Sequence, residues 1–223
     1  MTRLFISLGA LVALGISTLA CAGQATDGAT DAATEASVSP KQATKVADAK
    51  SQPMTTDFAL FAGGCFWCVE ADFEKLDGVY EAISGYAGGD SENPTYKNHK
   101  NGGHREVARI TFDPTIVSYR QLADYFFRSV DPLDAGGQFC DRGAPYTTAI
   151  YALNDEQRQD AEAAKALASA ELGQEVVTPI LGNAPFWPAE DYHQDYYKKK
   201  PVRYKYYRNG CGRDKRIAQI WKK

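Results

Sequence analysis

At 223 residues, 44% of them apolar and 24% charged, the chain is long enough for one substantial core, which excludes disorder throughout and a pure disulfide scaffold. Its net charge of −3 is spread over both signs. No large basic field exists for nucleic acid or another polyanion, so substrate choice falls to a local site.

In chain order, Arg3 precedes the apolar stretch Leu4 to Ile16, and small residues follow at Ser17, Ala20 and Ala22; residues 1–22 read as an export signal. The stretch is too short for a permanent anchor. Ser17-Thr18-Leu19-Ala20-Cys21 resembles a bacterial lipoprotein cleavage box, with Leu19 one place nearer the cysteine than usual. Two products stand open, a periplasmic protein cleaved after Ala22 and one lipid-anchored through Cys21 in the cell envelope; membrane contact is expected only in the second. Residues 23–55 carry almost no large apolar side chain and are expected to form a disordered leader. One catalytic domain over residues 56–223 follows, expected as a monomer.

Phe58 to Ala62 is a short apolar run ended by Gly63-Gly64, after which Phe66, Val69, Phe73 and Leu76 recur at helical spacing. This predicts strand, tight turn, helix. A second strand is predicted over Val79 to Tyr86, a loop over Gly85 to Gly103, a third strand over Arg105 to Asp113, and a helix over Ser118 to Ser129 with Tyr119, Leu122 and Phe126 on one face. Thr147 to Leu153 reads as a strand, Asp155 to Leu172 as a helix, and Val176 to Ile180 as a further strand. From Pro188 on, a short helix and then an extended, flexible tail from about residue 201 are expected. Together these elements predict an α+β sandwich, with helices over one face of a mixed sheet.

The chemistry concentrates at Gly63-Gly64-Cys65-Phe66-Trp67-Cys68. It sets a cysteine at the start of a helix, where free N–H groups and the positive end of the dipole favour an anion, so the Cys65 thiol is expected to ionise readily. Phe66 and Trp67 are either core residues or an apolar wall beside that thiol. On the third strand, period-two alternation puts Glu106 on the face of Ala108, Ile110 and Phe112. A carboxylate placed there is expected to hold its proton to higher pH and could act as a general acid; an edge glutamate reaching solvent is the alternative. Tyr96, Asp141 and Tyr146, from two loops, are either turn and packing residues or polar groups around one oxygen.

Six short segments in order resemble the A-type peptide methionine sulfoxide reductases: Gly64 to Trp67, Gly85 to Gly89, Asn93 to Tyr96, Gly103 to Glu106, Asp141 to Tyr146 and Ala189 to Tyr196. The resemblance implies a ferredoxin-like α+β core and makes Cys65 the nucleophile, with Phe66 and Trp67 holding the substrate methyl group. It makes Glu106 the proton donor, sets Tyr96, Asp141 and Tyr146 around the sulfoxide oxygen, and has His193 and Tyr196 line or brace the site. It implies reduction of the S epimer of methionine sulfoxide, free or protein-bound, by way of a Cys65 sulfenic acid. A thioredoxin-like reductant is expected as partner, and neither a cofactor nor a metal.

The chain departs from the commonest family pattern at Cys68, at Cys140 and in the tail Asn209 to Asp214. Cys211, flanked by Gly210 and Gly212, is expected to resolve the sulfenic acid, with Cys140 and Cys68 as alternatives. Two other readings compete. Cys65-x-x-Cys68 would also suit a thioredoxin-type thiol-disulfide oxidoreductase, which has no need of Glu106. Cys65, Cys68, Cys140 and Cys211 could together hold zinc, although only one pair has close spacing.

Overall fold

The computed structural model describes residues 55–222; the expected export segment and all but the last residue of the leader lie outside them. In chain order the elements are β1 (Asp57–Ala62), α1 (Phe66–Phe73), β2 (Val79–Ala87), β3 (Arg105–Phe112), α2 (Tyr119–Ser129), β4 (Gly137–Gln138), β5 (Asp141–Arg142), β6 (Ala149–Tyr151), α3 (Asp155–Leu172), β7 (Ile180–Leu181), β8 (Phe186–Pro188), α4 (Tyr196–Lys199), α5 (Pro201–Gly210) and α6 (Arg213–Ile220). One mixed sheet runs β7-β6-β1-β3-β2-β8, parallel at β6–β7 and antiparallel at the other pairs, while β4 and β5 form a small separate ribbon.

Alternation along the central strands sends Ala59 and Phe61 of β1 and Ala108, Ile110 and Phe112 of β3 to one face, where Val69 and Phe73 of α1, Leu122 and Phe126 of α2 and Ala164 of α3 pack. Phe61 lies between Phe73 and Phe126, each ring 5.1 Å away. Leu60, Ala62 and Val107 point to the opposite face, which Leu153, Leu181 and Phe186 cover. This is the expected α+β arrangement.

The α2 helix starts one residue later than its pattern suggests because Ser118 is its cap. The Ser118 side chain accepts from the Gln121 N–H at 3.2 Å and the Gln121 side chain accepts from the Ser118 N–H at 2.8 Å. The strand expected over Val176 to Ile180 shrinks to Ile180–Leu181. Pro179 has no N–H to give a ladder, and the Thr178 side chain turns inward to bond the Thr148 hydroxyl at 2.8 Å.

The larger correction concerns the tail, which forms two packed helices instead of extended chain. Arg213 is buried, donating to the carbonyls of Gly63 at 3.2 Å and Ser129 at 2.7 Å and lying 3.7 Å from Asp72. Arg208 donates to Asp72 at 3.0 Å and to Asp214. These are contacts between residues far apart in sequence, so no local pattern announces them. Arg213→Met should lower stability by about 3 kcal/mol, because two carbonyls and part of a buried carboxylate lose their partner. An unchanged urea midpoint would refute this.

Candidate active site

The turn from β1 into α1 aims the reactive segment. Gly64 has φ +83°, and a Cβ there would lie 2.5 Å from Cβ of Gln138, so only glycine fits. Cys65 follows as the N-cap of α1, buried at the mouth of the helix. The first helical N–H, on Phe66, donates to Glu106 Oε2 at 3.1 Å. The helix end is therefore spent on the carboxyl group and not on the sulfur.

Glu106 stands on β3 opposite Tyr86 of β2, buried. Burial pushes its carboxyl up to about 8; the Phe66 N–H opposes this and the charge of Asp141 adds to it. That is the direction expected from its place among apolar neighbours, and it makes Glu106 an acid at neutral pH.

Cys65, Phe66, Trp67, Tyr96, Glu106, Asp141 and Tyr146, the nucleophile, wall and oxygen-binding residues expected from the sequence, line one cavity of about 50 Å³ together with Tyr207. Only the tip of a side chain enters a space of that size. Phe66 and Trp67 make its apolar side. Tyr196 stacks on Trp67 with centroids 3.8 Å apart and planes 6° from parallel, and the Trp67 indole N–H donates to His193 Nδ1 at 3.1 Å. His193 is buried, 5.0 Å from the Phe66 ring and 4.6 Å from Tyr96, and so braces the wall from behind. Burial keeps the Tyr96 and Tyr146 hydroxyls protonated, available as donors, and raises the Asp141 carboxyl.

The thiols depart from expectation. Burial pushes the Cys65 thiol up, helped by its hydrogen bond with Cys68 and by the nearby charges of Cys68 and Glu106. Cys68 is instead drawn down to about 7, first by the hydrogen bond from Cys65 and then, against burial, by the guanidinium groups of Arg213 and Arg208. The expectation of a readily ionised Cys65 is corrected in direction: a dry site disfavours its charge, and within the pair the arginines favour the thiolate on Cys68 over the one on Cys65. Cys140 and Cys211 are bonded to each other, whereas Cys65 and Cys68 are free. The four thiols weighed as zinc ligands thus split into two pairs.

Sequence reasoning missed Tyr207, Arg208, Arg213 and Glu190. Glu190 accepts from the Tyr96 N–H at 3.1 Å and from the Tyr86 hydroxyl at 3.0 Å, fixing the loop that carries Tyr96. The signal for the tail was present in the spacing of Tyr204, Tyr207, Arg208 and Cys211, which places them on one side of a helix.

A buried thiol pair, a protonated carboxyl group and hydroxyl donors around an apolar notch define a thiol-dependent reductase site. The profile of the family described as peptide methionine sulfoxide reductase matches residues 57–223. The chain is 61% identical over 164 residues to peptide methionine sulfoxide reductase MsrA 2 of Rhizobium meliloti (strain 1021), covering 74% of this chain and 83% of that one. It is 47% identical over 173 residues to peptide methionine sulfoxide reductase MsrA of Bacillus licheniformis, covering 74% and 93%. Of solved structures, reduced Mxr1 from Saccharomyces cerevisiae matches with TM-score 0.63 at 27% identity, covering 69% of this chain and 90% of that one. Methionine sulfoxide reductase A of Corynebacterium diphtheriae matches with TM-score 0.59 at 29% identity, covering 68% and 78%. The chain belongs to the peptide methionine sulfoxide reductase family, in its A type.

Proposed function

We propose that the protein reduces the S epimer of methionine sulfoxide, free or within proteins, to methionine, with a thioredoxin-type dithiol as reductant. The observation that carries this reading is the single cavity in which a thiol, a carboxylic acid and an indole–phenyl wall converge. A sulfoxide sulfur bears a methyl group, an oxygen and a longer chain. With the methyl on Phe66 and Trp67, the oxygen toward Glu106, Tyr96 and Tyr146, and the chain toward solvent, one configuration presents its sulfur to Cys65 and its mirror image does not.

The protonation pattern supports a balanced sequence. Cys65 passes its proton to the Cys68 thiolate along their shared hydrogen bond as its sulfur takes the oxygen, and Glu106 protonates that oxygen. Methionine leaves, with Cys65 as sulfenic acid, Cys68 as thiol and Glu106 as carboxylate. Cys68 then attacks the Cys65 sulfur, its proton departs with the hydroxyl as water, and a Cys65–Cys68 disulfide forms. The external dithiol reduces this disulfide, and one of the two regained protons returns to Glu106.

Cys68 takes the resolving role here because it lies one helical turn from Cys65 and is free, while the sulfur of Cys211 is bonded to Cys140. The test is turnover on the separated epimers with thioredoxin. Wild type should consume the S form and leave the R form, Cys68→Ser should release one equivalent of methionine and stop, and Cys211→Ser should continue. A stop after one equivalent in Cys211→Ser assigns resolution to Cys211 and overturns the Cys68 assignment.

A further inference from the structure

The expected site did not include Tyr207, and the function of the Cys140–Cys211 disulfide is unassigned by the reaction just described. The two belong together. Tyr207 and Cys211 stand one turn apart at the end of α5, joined by the bond from the Cys211 N–H to the Tyr207 carbonyl at 2.9 Å. Cys140 and Asp141 are neighbours at the start of β5. Two links therefore run side by side between the tail and the β4–β5 ribbon: the covalent bond from Cys211 to Cys140, with Cα atoms 4.9 Å apart, and the hydrogen bond from the Tyr207 hydroxyl to the Asp141 carboxylate.

The second link ends inside the cavity. Tyr207 lines it with Cys65, Glu106 and Asp141, and its ring meets Trp67 edge-on at 5.8 Å. Its hydroxyl donates to the Asp141 carboxylate and shares the cavity with the Cys65 thiol, close enough that it favours the charged form of Cys65 and Cys65 disfavours the charged form of the phenol. A single phenolic proton held between two acceptors follows whichever is more negative. While Cys65 is a thiol, Asp141 takes it; when negative charge develops on Cys65, the sulfur can take it.

We infer that Tyr207 is a further residue of the active site, donating to the Cys65 sulfur, and that the Cys140–Cys211 disulfide is the staple that holds it in the cavity. The tail then completes the site as a fixed wall. Its effect on sulfoxide reduction rests on the function proposed above, whereas its contact with Cys65 does not.

Two readouts test it on the full chain: kcat/KM for the S sulfoxide, and the pH midpoint of Cys65 alkylation by iodoacetamide, followed by peptide mass mapping. Tyr207→Phe keeps the ring and removes the donor, so it should lower kcat/KM about tenfold, the loss of one hydrogen bond to a charged group, and move the alkylation midpoint upward. Cys140→Ser/Cys211→Ser should do the same, and the triple variant should be no worse than either, because all three changes remove one interaction. Circular dichroism checks each fold; if the serine pair does not fold, Cys140→Val/Cys211→Val, which keeps apolar packing, replaces it.

Wild-type values of both quantities in Tyr207→Phe would overturn the Tyr207 assignment. Losses that add in the triple variant, or a cysteine-pair variant with wild-type values, would overturn the staple. Wild type inert toward the sulfoxide would sink the proposed function instead, and the alkylation midpoint would still report on Tyr207.

Discussion

Replacing Cys65 by serine should cut reduction of the S sulfoxide by at least about 10⁴-fold, the scale on which removal of a nucleophile acts. Sulfur can expand to a sulfenic acid and collapse again to a disulfide; an alcohol oxygen would have to form a peroxide-like O–O bond, which no nearby group stabilises. The substitution removes one polarisable atom at a buried helix cap, and the neighbouring Gly64 conformation and Phe66–Glu106 bond do not depend on the sulfur. Loss of activity with retained circular dichroism is therefore the expected pair of results, read by chromatographic release of methionine. Cys68 cannot substitute, because it does not line the cavity. A variant keeping more than about one per cent of wild-type kcat would place the nucleophile elsewhere.

Glu106→Gln should lower kcat by about 10²–10⁴-fold with little change in KM. The amide oxygen can still accept from the Phe66 N–H, so the wall keeps its place, but no acidic proton remains for the departing oxygen. The pH dependence separates acid catalysis from mere shape. Burial holds Glu106 at about 8, and the protonated form is the working one, so Glu106 imposes no pH dependence below that value and makes the wild-type rate fall about tenfold per pH unit above it. A second limb belongs to the thiol pair: the form with charge on Cys68 is lost as pH drops through about 7, so the rate should also decline on the acid side. Glu106→Gln should lose the alkaline limb and keep the acid one. An alkaline limb that survives in the glutamine variant assigns it to another group.

Much of the site is legible in the sequence because its parts are written in short, regular stretches. The double glycine before Cys65 marks a turn that only glycine can make, helical spacing after it orients Phe66 and Trp67, and strand alternation puts Glu106 among apolar neighbours. The docking of the tail was not legible: the spacing of Tyr204, Tyr207, Arg208 and Cys211 marks one side of a helix, but its helices are short, polar and tyrosine-rich, with no apolar stripe to say what they pack against. They are held as a packed wall by contacts that reach far across the chain, among them those of Arg213, Arg208 and Tyr207 and the Cys140–Cys211 bond.

By itself the sequence determined the residue types that do chemistry and the local elements that carry them, because turns, caps and alternation depend on neighbours within a few positions. Tertiary structure alone decided which cysteines pair, which thiol of the free pair has its charge favoured and which residue of the tail joins the cavity lining. Those outcomes depend on burial and on charges brought together from distant segments, and burial belongs to the folded chain as a whole.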